Sequence, residues 1–380
     1  MTPARDKPLV SVWKRSWLPG SETFVRAQQD GLTRWRSESV GWERLERGLG
    51  RAEDVILGER TPRGLWRIEA AILALTGVSP RLSHHWRGSR PDVVHIHFVT
   101  QAKGVAALAR RHRIPVVVTA HGNDVTEAAA KGGWRGHLYR WQARRILRRA
   151  DAVIAVSDFI AGRVKALGAP ERTLHRLPVG VEIIPREDRE PVMDVVFVGR
   201  LVEVKGVWHL LSALDILRRQ GRSVSACIIG DGPDREKLQR FASERDLGVT
   251  FLGAVGHQQV PQLMASSRIF CGPSVTSRGG AVEGLGLVFL EAALQERPIV
   301  AFRSGGVGEA VADGQTGLLV SEGDDEALAA AIARLLDDPV LCSEMGKRGR
   351  ARVESLFDRE KQTAELEEVY DSLRSASHEE

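Results

Sequence analysis

Cysteines and long apolar segments are scarce in this sequence of 380 residues. The three cysteines, Cys227, Cys271 and Cys342, form no close pair, so the sequence indicates neither a disulfide framework nor a zinc site. A run of about 18 apolar residues, the length needed to cross a bilayer, is absent. The first residues also lack the apolar segment of a signal peptide. We therefore expect a cytoplasmic protein whose contact with membranes is peripheral.

The composition of the chain is typical of a soluble globular protein. Hydrophobic residues make up 43% of it and charged residues 27%. A chain of this length can form two domains of common size, each with its own hydrophobic core. Internal repeats and low-complexity tracts are absent, so neither a repeat architecture nor a disordered segment is expected.

Positive charge is concentrated in the first half of the chain. Residues 1–185 contain 31 Lys and Arg and 17 Asp and Glu, whereas the remaining residues contain 23 and 32. Eight of the nine tryptophans also lie in the first half. Such a half is expected to contact an anionic partner, such as a phospholipid surface, a lipid diphosphate or an anionic glycan. A solvated basic surface explains the charge equally well, and no motif supports binding to nucleic acid.

Short apolar segments alternate with helical patterns along most of the chain. This alternation predicts an α/β fold with parallel sheets and right-handed crossovers. A segment rich in charge and proline at 182–191 suggests a linker. We therefore expect an N-terminal domain at 1–185, a C-terminal domain at 190–355 and a final helix at 356–380. Strands are predicted at residues 9–13, 92–97, 115–120, 151–156, 194–198, 225–229 and 298–302.

The densest group of candidate site residues lies in a glycine-rich segment at 272–320. Glu283 is on a loop, and Glu291 falls in the first turns of the following helix. Glycines let the backbone approach a ligand, and the first N–H groups of a helix are unpaired, so this loop suits a diphosphate. Glu291 could hold the hydroxyl pair of a ribose. The alternative is an ordinary α/β loop whose glycines only serve turns. The predicted diphosphate loop consists of Gly284, Leu285, Gly286 and Leu287.

Two cations follow the first strand of the second half. Arg200 and Lys205 lie on a loop between a strand and a helix, at the edge where a doubly wound sheet binds ligands. Arg offers directional donors and Lys a mobile point charge, so the pair could neutralise a diphosphate. The alternative is a pair of solvated surface charges.

Histidines are found at the end of two predicted strands of the first half. His121 comes directly after the strand at 115–120, where α/β sites collect, although a lone histidine is often structural. His95 and His97 alternate on their strand and therefore share one face. We expect these two to line a site or to belong to the core.

Glu283 and Glu291, followed by Pro298-Ile-Val-Ala and Ser304-Gly-Gly-Val-Gly-Glu309, resemble the donor-site signature of family 4 retaining glycosyltransferases. The segment at 273–294 is similar to members of the exopolysaccharide type, such as colanic-acid transferases. Gly-Arg-x4-Lys-Gly at 199–206 also resembles the diphosphate motif of the family. The sequence departs from the pattern at 295–297, where Gln-Glu-Arg replaces small residues and a glycine.

The resemblance implies the GT-B fold, in which two Rossmann-like α/β domains face each other across a cleft. It implies transfer of a sugar from a nucleotide diphosphate sugar, expected to be a UDP-sugar, with retention at the anomeric carbon. The implied acceptor is a glycan, a lipid-linked molecule or a small molecule. Attack on the same face, assisted by the leaving phosphate, needs no covalent nucleophile. Neither a metal nor another cofactor is expected, because Arg200 and Lys205 supply positive charge.

The resemblance also assigns roles to individual residues. His121 and Glu283 would contact the donor sugar, Arg200 and Lys205 would stabilise the departing diphosphate, and the backbone near Val255 would hold the base. The loop before the first helix is similar to one that lies near the donor phosphates and the acceptor in the exopolysaccharide subgroup. On that basis Gly20 is assigned to the donor, and Ser21, Glu22 and Thr23 are assigned to the acceptor. The alternative is that this loop only caps the first helix. Asp124, in the turn that begins at His121, is also assigned to the acceptor.

Two other classes of function stay open at this point. The same fold occurs in nucleotide-sugar epimerases, which need no acceptor, and in phosphorylases, which need free phosphate or a cofactor. A protein that binds nucleotide sugars without turnover is disfavoured because Arg200, Lys205, Glu283 and Glu291 are present together.

Overall fold

The computed structural model describes residues 7–20, 22–46, 48–59 and 64–379. For residues 377–379 it describes the backbone alone. The chain divides into two compact units. The N-terminal unit comprises Met1–Gly180 and Arg359–Glu380, and the C-terminal unit comprises Val181–Asp358. The last helix of the chain therefore belongs to the N-terminal unit, although the whole C-terminal unit separates it in sequence from the rest of that unit.

A seven-stranded sheet forms the centre of the N-terminal unit, and all its neighbouring strands are parallel. The strands of this unit are β1 (Leu9–Trp13), β2 (Ser16–Trp17), β3 (Arg36–Gly41), β4 (Glu43–Arg44), β5 (Val55–Ile56), β6 (Val93–His97), β7 (Val116–Ala120), β8 (Ala152–Ala155) and β9 (Leu174–Arg176). The sheet has the order β5-β3-β1-β6-β7-β8-β9, while β2 and β4 pair separately. The chain direction across the sheet reverses between β1 and β6, which is where doubly wound sheets bind ligands.

Helices cover both faces of this sheet. They are α1 (Thr23–Asp30), α2 (Leu65–Thr76), α3 (Pro80–Ser89), α4 (Val105–Arg111), α5 (Glu127–Ala130), α6 (Gly133–Leu147), α7 (Asp158–Ala166) and, from the end of the chain, α15 (Arg359–Glu379). Successive side chains of a strand point to opposite faces. Val116 and Val118 of β7 therefore pack with α2, α3, α4, α6 and α7, whereas Val117 packs with α1 and α15.

The C-terminal unit contains a six-stranded parallel sheet with the order β12-β11-β10-β13-β14-β15. Its strands are β10 (Met193–Val198), β11 (Ala226–Ile229), β12 (Val249–Gly253), β13 (Ser267–Gly272), β14 (Ile299–Phe302) and β15 (Gly317–Val320). The central strands are buried on both faces, which explains why they read as continuous apolar runs in the sequence. Here the chain direction reverses between β10 and β13.

Seven helices of the C-terminal unit surround this sheet within the described residues. They are α8 (Val207–Arg219), α9 (Arg235–Glu244), α10 (Val260–Ala265), α11 (Leu287–Leu294), α12 (Val307–Ala310), α13 (Asp325–Asp337) and α14 (Pro339–Leu356). One apolar cluster joins α8, α9 and α13 to the sheet, and a second joins α10, α11 and α14. The sheet is thus a middle layer between two helical layers, as predicted for an α/β fold.

Several helix starts have clear chemical causes. The Ser157 hydroxyl accepts a hydrogen bond from the N–H of Ile160 at 3.1 Å and so caps the start of α7. The Asp324 carboxylate caps α13 in the same way, through the N–H of Ala327 at 2.9 Å. In the described ranges, no helix combines the length and the apolar character needed to cross a bilayer.

Candidate active site

The two cations predicted to bind a diphosphate lie at the carboxyl edge of the C-terminal sheet. Arg200 and Lys205 are on the loop between β10 and α8. This loop closes on Gly206, whose φ of 65° is accessible to glycine with little strain. A Cβ atom at Gly206 would lie 1.7 Å from the carbonyl oxygen of Pro273, just after β13. The loops that follow β10 and β13 are therefore in direct contact, at the point where the strand order reverses.

Lys205 and Glu283 are brought together by this contact. The Lys205 ammonium forms an ion pair with the Glu283 carboxylate, and the two side chains are only 21% and 15% exposed. The Ser274 hydroxyl lies 3.5 Å from the same carboxylate oxygen. The residue predicted to bind phosphate and the residue predicted to contact the sugar are thus direct neighbours.

Arg200 differs from Lys205 in that its side chain is exposed. Among the described residues, no carboxylate pairs with its guanidinium group. A planar guanidinium group without an ion-pair partner can form two parallel hydrogen bonds to a phosphate. Its exposure at the sheet edge is the arrangement expected for a residue that binds an anionic ligand.

The predicted diphosphate loop, Gly284–Leu287, leads directly into α11. Gly286 precedes this helix with a φ of 84°. The N–H of Gly306 donates to the carbonyl oxygen of Glu283 at 2.9 Å. A Cβ atom at Gly306 would lie only 2.0 Å from the carbonyl oxygen of Gly284. The Ser-Gly-Gly segment after β14 therefore supports the loop from behind, and its glycines are needed because the two backbones touch.

Glu291 lies in α11, and burial raises the pKa of its carboxyl group, while the nearby His257 acts in the opposite direction. Among the described residues, its carboxylate accepts no hydrogen bond from a side chain or a backbone N–H. A mostly enclosed carboxylate without hydrogen-bond donors around it is suited to a ligand that supplies donors, such as the two hydroxyl groups of a ribose.

Val255 follows β12 and lies between Gly253 and Gly256. Its side chain packs against the apolar cluster that also contains Leu285 and Leu287 of the diphosphate loop. The segment predicted to hold the base and the loop predicted to hold the diphosphate are therefore connected through one cluster.

In the N-terminal unit, His121 occupies the carboxyl end of β7. Its Nε2 atom is hydrogen-bonded to the Nδ1 atom of His97 at 2.9 Å. The rings of Phe24 and Phe98 flank it, with centroid distances of 4.7 and 4.6 Å. Burial lowers the pKa of His121 to about 3. The imidazole is therefore neutral near pH 7 and can form hydrogen bonds to a ligand only as an uncharged group.

The histidines of β6 form a buried column behind His121. The rings of His95 and His97 stack with their centroids 4.4 Å apart. His95 is hydrogen-bonded to the hydroxyl groups of Thr119 and of Tyr370 in α15, both at 2.6 Å. Burial lowers the pKa of His95 to about 3 and that of His97 well below its usual value. These histidines belong to the core and position His121, which was one of the two roles expected from the sequence.

Asp124 is buried and orients the turn that carries His121. Its carboxylate accepts hydrogen bonds from the N–H groups of Val99, His121 and Gly122, at 2.8, 3.1 and 2.9 Å. Burial raises the pKa of this carboxyl group, and the three donors oppose that shift. With both oxygens engaged, a direct contact of Asp124 with an acceptor stays a prediction.

The other residues assigned to the acceptor lie around the start of α1. Glu22 precedes this helix and pairs with Lys14, which directly follows β1. Thr23 is the first residue of α1, Gly20 is exposed before it, and Ser21 lies outside the described residues. Burial lowers the pKa of Lys14 and raises that of Glu22, while their mutual attraction opposes both shifts.

Sequence reasoning missed Lys14 and Phe98. The Lys14 ammonium lies 4.7 Å from the centre of the Phe98 ring, and that ring contacts His121. Both residues directly follow strands, β1 and β6, which border the reversal of strand order. Their positions after two predicted strands were the available signal, but the sequence alone did not show that these strands are neighbours.

Metal binding has no evident site in the parts of the chain that the structure describes. Those residues contain no group of three or more His, Cys, Asp or Glu side chains placed to hold an ion. The expectation that the reaction proceeds without a metal stays a prediction.

Comparison with known proteins places the two units in one family. Residues 19–180 match the model of the glycosyl transferase 4-like domain, and residues 184–352 match the model of glycosyl transferases group 1. A glycogen synthase of Mycobacterium tuberculosis is 32% identical over 75% of this chain and 69% of its own length. The chain belongs to family 4 of the glycosyltransferases. This confirms the family and the enzyme class that the sequence indicated.

Other relatives of this glycosyltransferase differ in what their names say. A GDP-mannose-dependent phosphatidylinositol monomannoside mannosyltransferase of Mycolicibacterium smegmatis is 37% identical over 62% of this chain. The matched region spans 64% of that relative's length. A glycosyltransferase of Escherichia coli named for colanic acid biosynthesis is 29% identical over 75% of this chain and 71% of its own length.

Solved structures confirm the fold. Sucrose-phosphate synthase of Thermosynechococcus elongatus aligns over 97% of this chain and 100% of its own, with a TM-score of 0.78 at 20% identity. A protein of Anabaena solved in complex with UDP aligns over 96% and 100%, with a TM-score of 0.75 at 19% identity. The glycosyltransferase therefore has the two Rossmann-like α/β domains of the GT-B fold, as predicted.

Proposed function

We propose that this glycosyltransferase moves a hexosyl group from a nucleotide diphosphate sugar to an acceptor, with retention of anomeric configuration. The observation that carries the proposal is the group of side chains at the reversal of strand order in the C-terminal unit. There Arg200 and Lys205 follow β10, and Glu283 and Glu291 follow β13. Two cations for a diphosphate and two carboxylates for hydroxyl groups match the polar parts of such a donor.

Departure of the nucleotide leaves negative charge on the diphosphate. Arg200 has no ion-pair partner among the described residues and would bind this charge directly. Lys205 would turn from Glu283 towards the phosphate, and the first N–H groups of α11 would add partial positive charge. Preorganised charges of this kind typically contribute about 100- to 1,000-fold each to turnover. Because they act on the leaving group, we propose that no metal or cofactor is required.

The rest of the donor would be held by four groups. Glu291 would accept hydrogen bonds from the ribose, and the backbone near Val255 would contact the base. Once Lys205 has turned to the phosphate, the Glu283 carboxylate would be free to accept a hydrogen bond from the sugar. The neutral imidazole of His121 would also bind a sugar hydroxyl. The acceptor hydroxyl would attack from the face that the diphosphate leaves, so no residue is assigned as a covalent nucleophile.

We propose a UDP-sugar as the donor and keep a GDP-sugar as the alternative, because a relative at 37% identity is named as GDP-mannose-dependent. The purified protein should be tested against UDP-, GDP-, ADP- and TDP-sugars, by thermal unfolding and by slow release of the nucleotide. At a donor concentration about 100 times Kd, the stabilisation should be about 2.7 kcal/mol. Stabilisation and nucleotide release by one donor would support the proposal. If no donor stabilised the protein, the assignment of this site would be wrong.

We propose that the enzyme is cytoplasmic and contacts a membrane peripherally through its basic N-terminal half. Its acceptor would be a glycan, a lipid-linked molecule or a small molecule, and proton NMR of the product would report the anomeric configuration. A product of inverted configuration would contradict attack on the same face. Conversion of the donor without any acceptor would instead favour an epimerase.

A further inference from the structure

Large apolar side chains are exposed on two helices of the N-terminal unit. Within the described residues of this unit, every exposed large apolar side chain lies on α2, directly after α2, or on α6. Leu75 is 78% exposed and Trp134 is 71% exposed. The full set is Leu65, Ile68, Ile72, Leu75, Val78, Trp134, Leu138 and Trp141. A concentration of this kind on a soluble protein usually marks an interaction surface.

The exposed residues of α2 form a single row. Leu65, Ile68, Ile72 and Leu75 follow one another at intervals of three and four residues, which places them on one face of the helix. Leu73, on the other side, is buried in the core that α2 shares with the sheet. The helix is therefore apolar on both faces, and the core covers only one of them.

The exposed residues of α6 form a second row. Trp134, Leu138 and Trp141 are spaced by four and three residues, and Arg145 continues the row by a further four. Its guanidinium group lies 5.6 Å from the centre of the Trp141 ring. This row is apolar at its beginning and ends in positive charge.

A groove of about 560 Å³ joins the two rows, because both Leu75 and Trp141 line it. Its lining contains five cations and no acidic residue: Lys103, Arg110, Arg111, Arg145 and Arg149. Two of these cations hydrogen-bond backbone carbonyl groups: Arg110 bonds that of Arg149, and Arg111 bonds that of Gly77 at 2.6 Å. None of the five pairs with a carboxylate among the described residues. The groove thus concentrates positive charge that no carboxylate in its lining neutralises.

We propose that this face docks on a lipid bilayer that contains anionic phospholipids. Lipid phosphates would occupy the basic groove, and the rows of α2 and α6 would enter the headgroup region, where indole rings are favoured. A symmetric dimer through this face is disfavoured, because it would bring the same five cations of two copies against each other. This face would be the surface through which the proposed peripheral contact with the membrane is made. Its role does not depend on the donor site.

The test uses co-sedimentation of the full chain with vesicles of phosphatidylcholine, with or without phosphatidylglycerol. Two variants address the face: Arg145→Glu with Arg149→Glu, and Ile72→Gln with Leu75→Gln. A matched control, Lys237→Glu with Arg240→Glu, makes the same charge change on exposed residues of α9. Loss of one cation near an anionic surface is expected to weaken binding about five-fold, so the double reversal should weaken it by at least about 25-fold.

We expect the wild-type protein and the control to sediment with anionic vesicles, and both variants of the face to stay in solution. The proposal is overturned if the control loses as much binding as the groove variant, or if neutral vesicles bind equally well. It is also overturned if no vesicle binds, or if the variants instead change the oligomeric state. Stabilisation by nucleotide, measured on the same samples, should not change, so failure here is distinct from failure of the donor site.

Discussion

Replacing Lys205 by alanine separates the catalytic role of the ammonium group from its structural role. In the free protein the group neutralises Glu283, and in the reaction it is proposed to stabilise the leaving diphosphate. Exposed ion pairs contribute about 0.2–1 kcal/mol to stability, and breaking a buried pair costs about 3–5 kcal/mol. Because these side chains are 21% and 15% exposed, the variant should lose about 1–2 kcal/mol. The loss of turnover should be larger, about 100- to 1,000-fold.

A second substitution distinguishes the two effects. Among the described residues, the Glu283 carboxylate would keep only the Ser274 hydroxyl at 3.5 Å once Lys205 is lost. Glu283→Gln removes that uncompensated charge. The double variant should therefore regain stability in urea unfolding. Its turnover in a steady-state assay with the donor should stay well below that of Glu283→Gln alone, which already lacks the proposed contact of the carboxylate with the sugar. Lys237→Ala, on the exposed face of α9, is the control and should change neither quantity. If the double variant recovered turnover, Lys205 would serve only to neutralise Glu283, and the proposed contact with the diphosphate would be wrong.

Three further predictions concern the two units separately. Glu291→Gln should raise the Kd of the nucleoside diphosphate about 10- to 100-fold and remove its preference over the 2′,3′-dideoxy form in calorimetry; an unchanged preference would refute the ribose contact. Gly306→Ala places a Cβ 2.0 Å from the Gly284 carbonyl oxygen and should displace the diphosphate loop, abolishing nucleotide binding. In the control Gly308→Ala, the added Cβ atom meets no atom closer than 4.0 Å, so nucleotide binding should be normal. Equal nucleotide binding by Gly306→Ala and Gly308→Ala would contradict the expected displacement of the loop. His95 has a folded pKa of about 3, below the unfolded value of about 6.5. The contribution of neutral His95 to stability is therefore complete above pH 6.5, and the free energy of unfolding should be about 2 kcal/mol lower at pH 5. In urea unfolding, His95→Gln should lose this decrease between pH 6.5 and pH 5. An unchanged pH dependence of the free energy of unfolding would contradict the prediction.

Most of the regular structure could be predicted from the sequence because strands buried on both faces read as apolar runs. The strands β6, β7 and β8 lie within the predicted segments, and β10 begins one residue before its predicted segment. A short 3-10 turn at Val99–Gln101 follows β6, so α4 begins only at Val105. The helix α14 was not predicted, although Asp338 caps it and Pro339 opens it. Its many charged residues blur the apolar periodicity by which a helix is recognised.

The site could be predicted only as separate groups of residues. Glycines, cations and acids after strands indicate candidate positions, because carboxyl ends of parallel strands share one edge. The pairing of Lys205 with Glu283 depends on β10 and β13 being neighbours, and local sequence patterns do not contain the strand order. The contact of Tyr370 with His95 also cannot be predicted from local patterns, because 275 residues separate the two in the sequence. Local patterns thus identify the groups, and tertiary structure decides which of them meet.

The central claim is that Arg200 binds the diphosphate of a nucleotide donor, and calorimetry tests it most directly. The nucleoside diphosphate selected by the donor screen would be titrated into the wild-type protein, Arg200→Ala and the control Arg240→Ala, which changes an exposed arginine of α9. A charge-assisted bond contributes about 1.5–3 kcal/mol. We predict that Arg200→Ala raises Kd about 10- to 100-fold, with the control unchanged. Equal affinity of all three proteins would contradict the account.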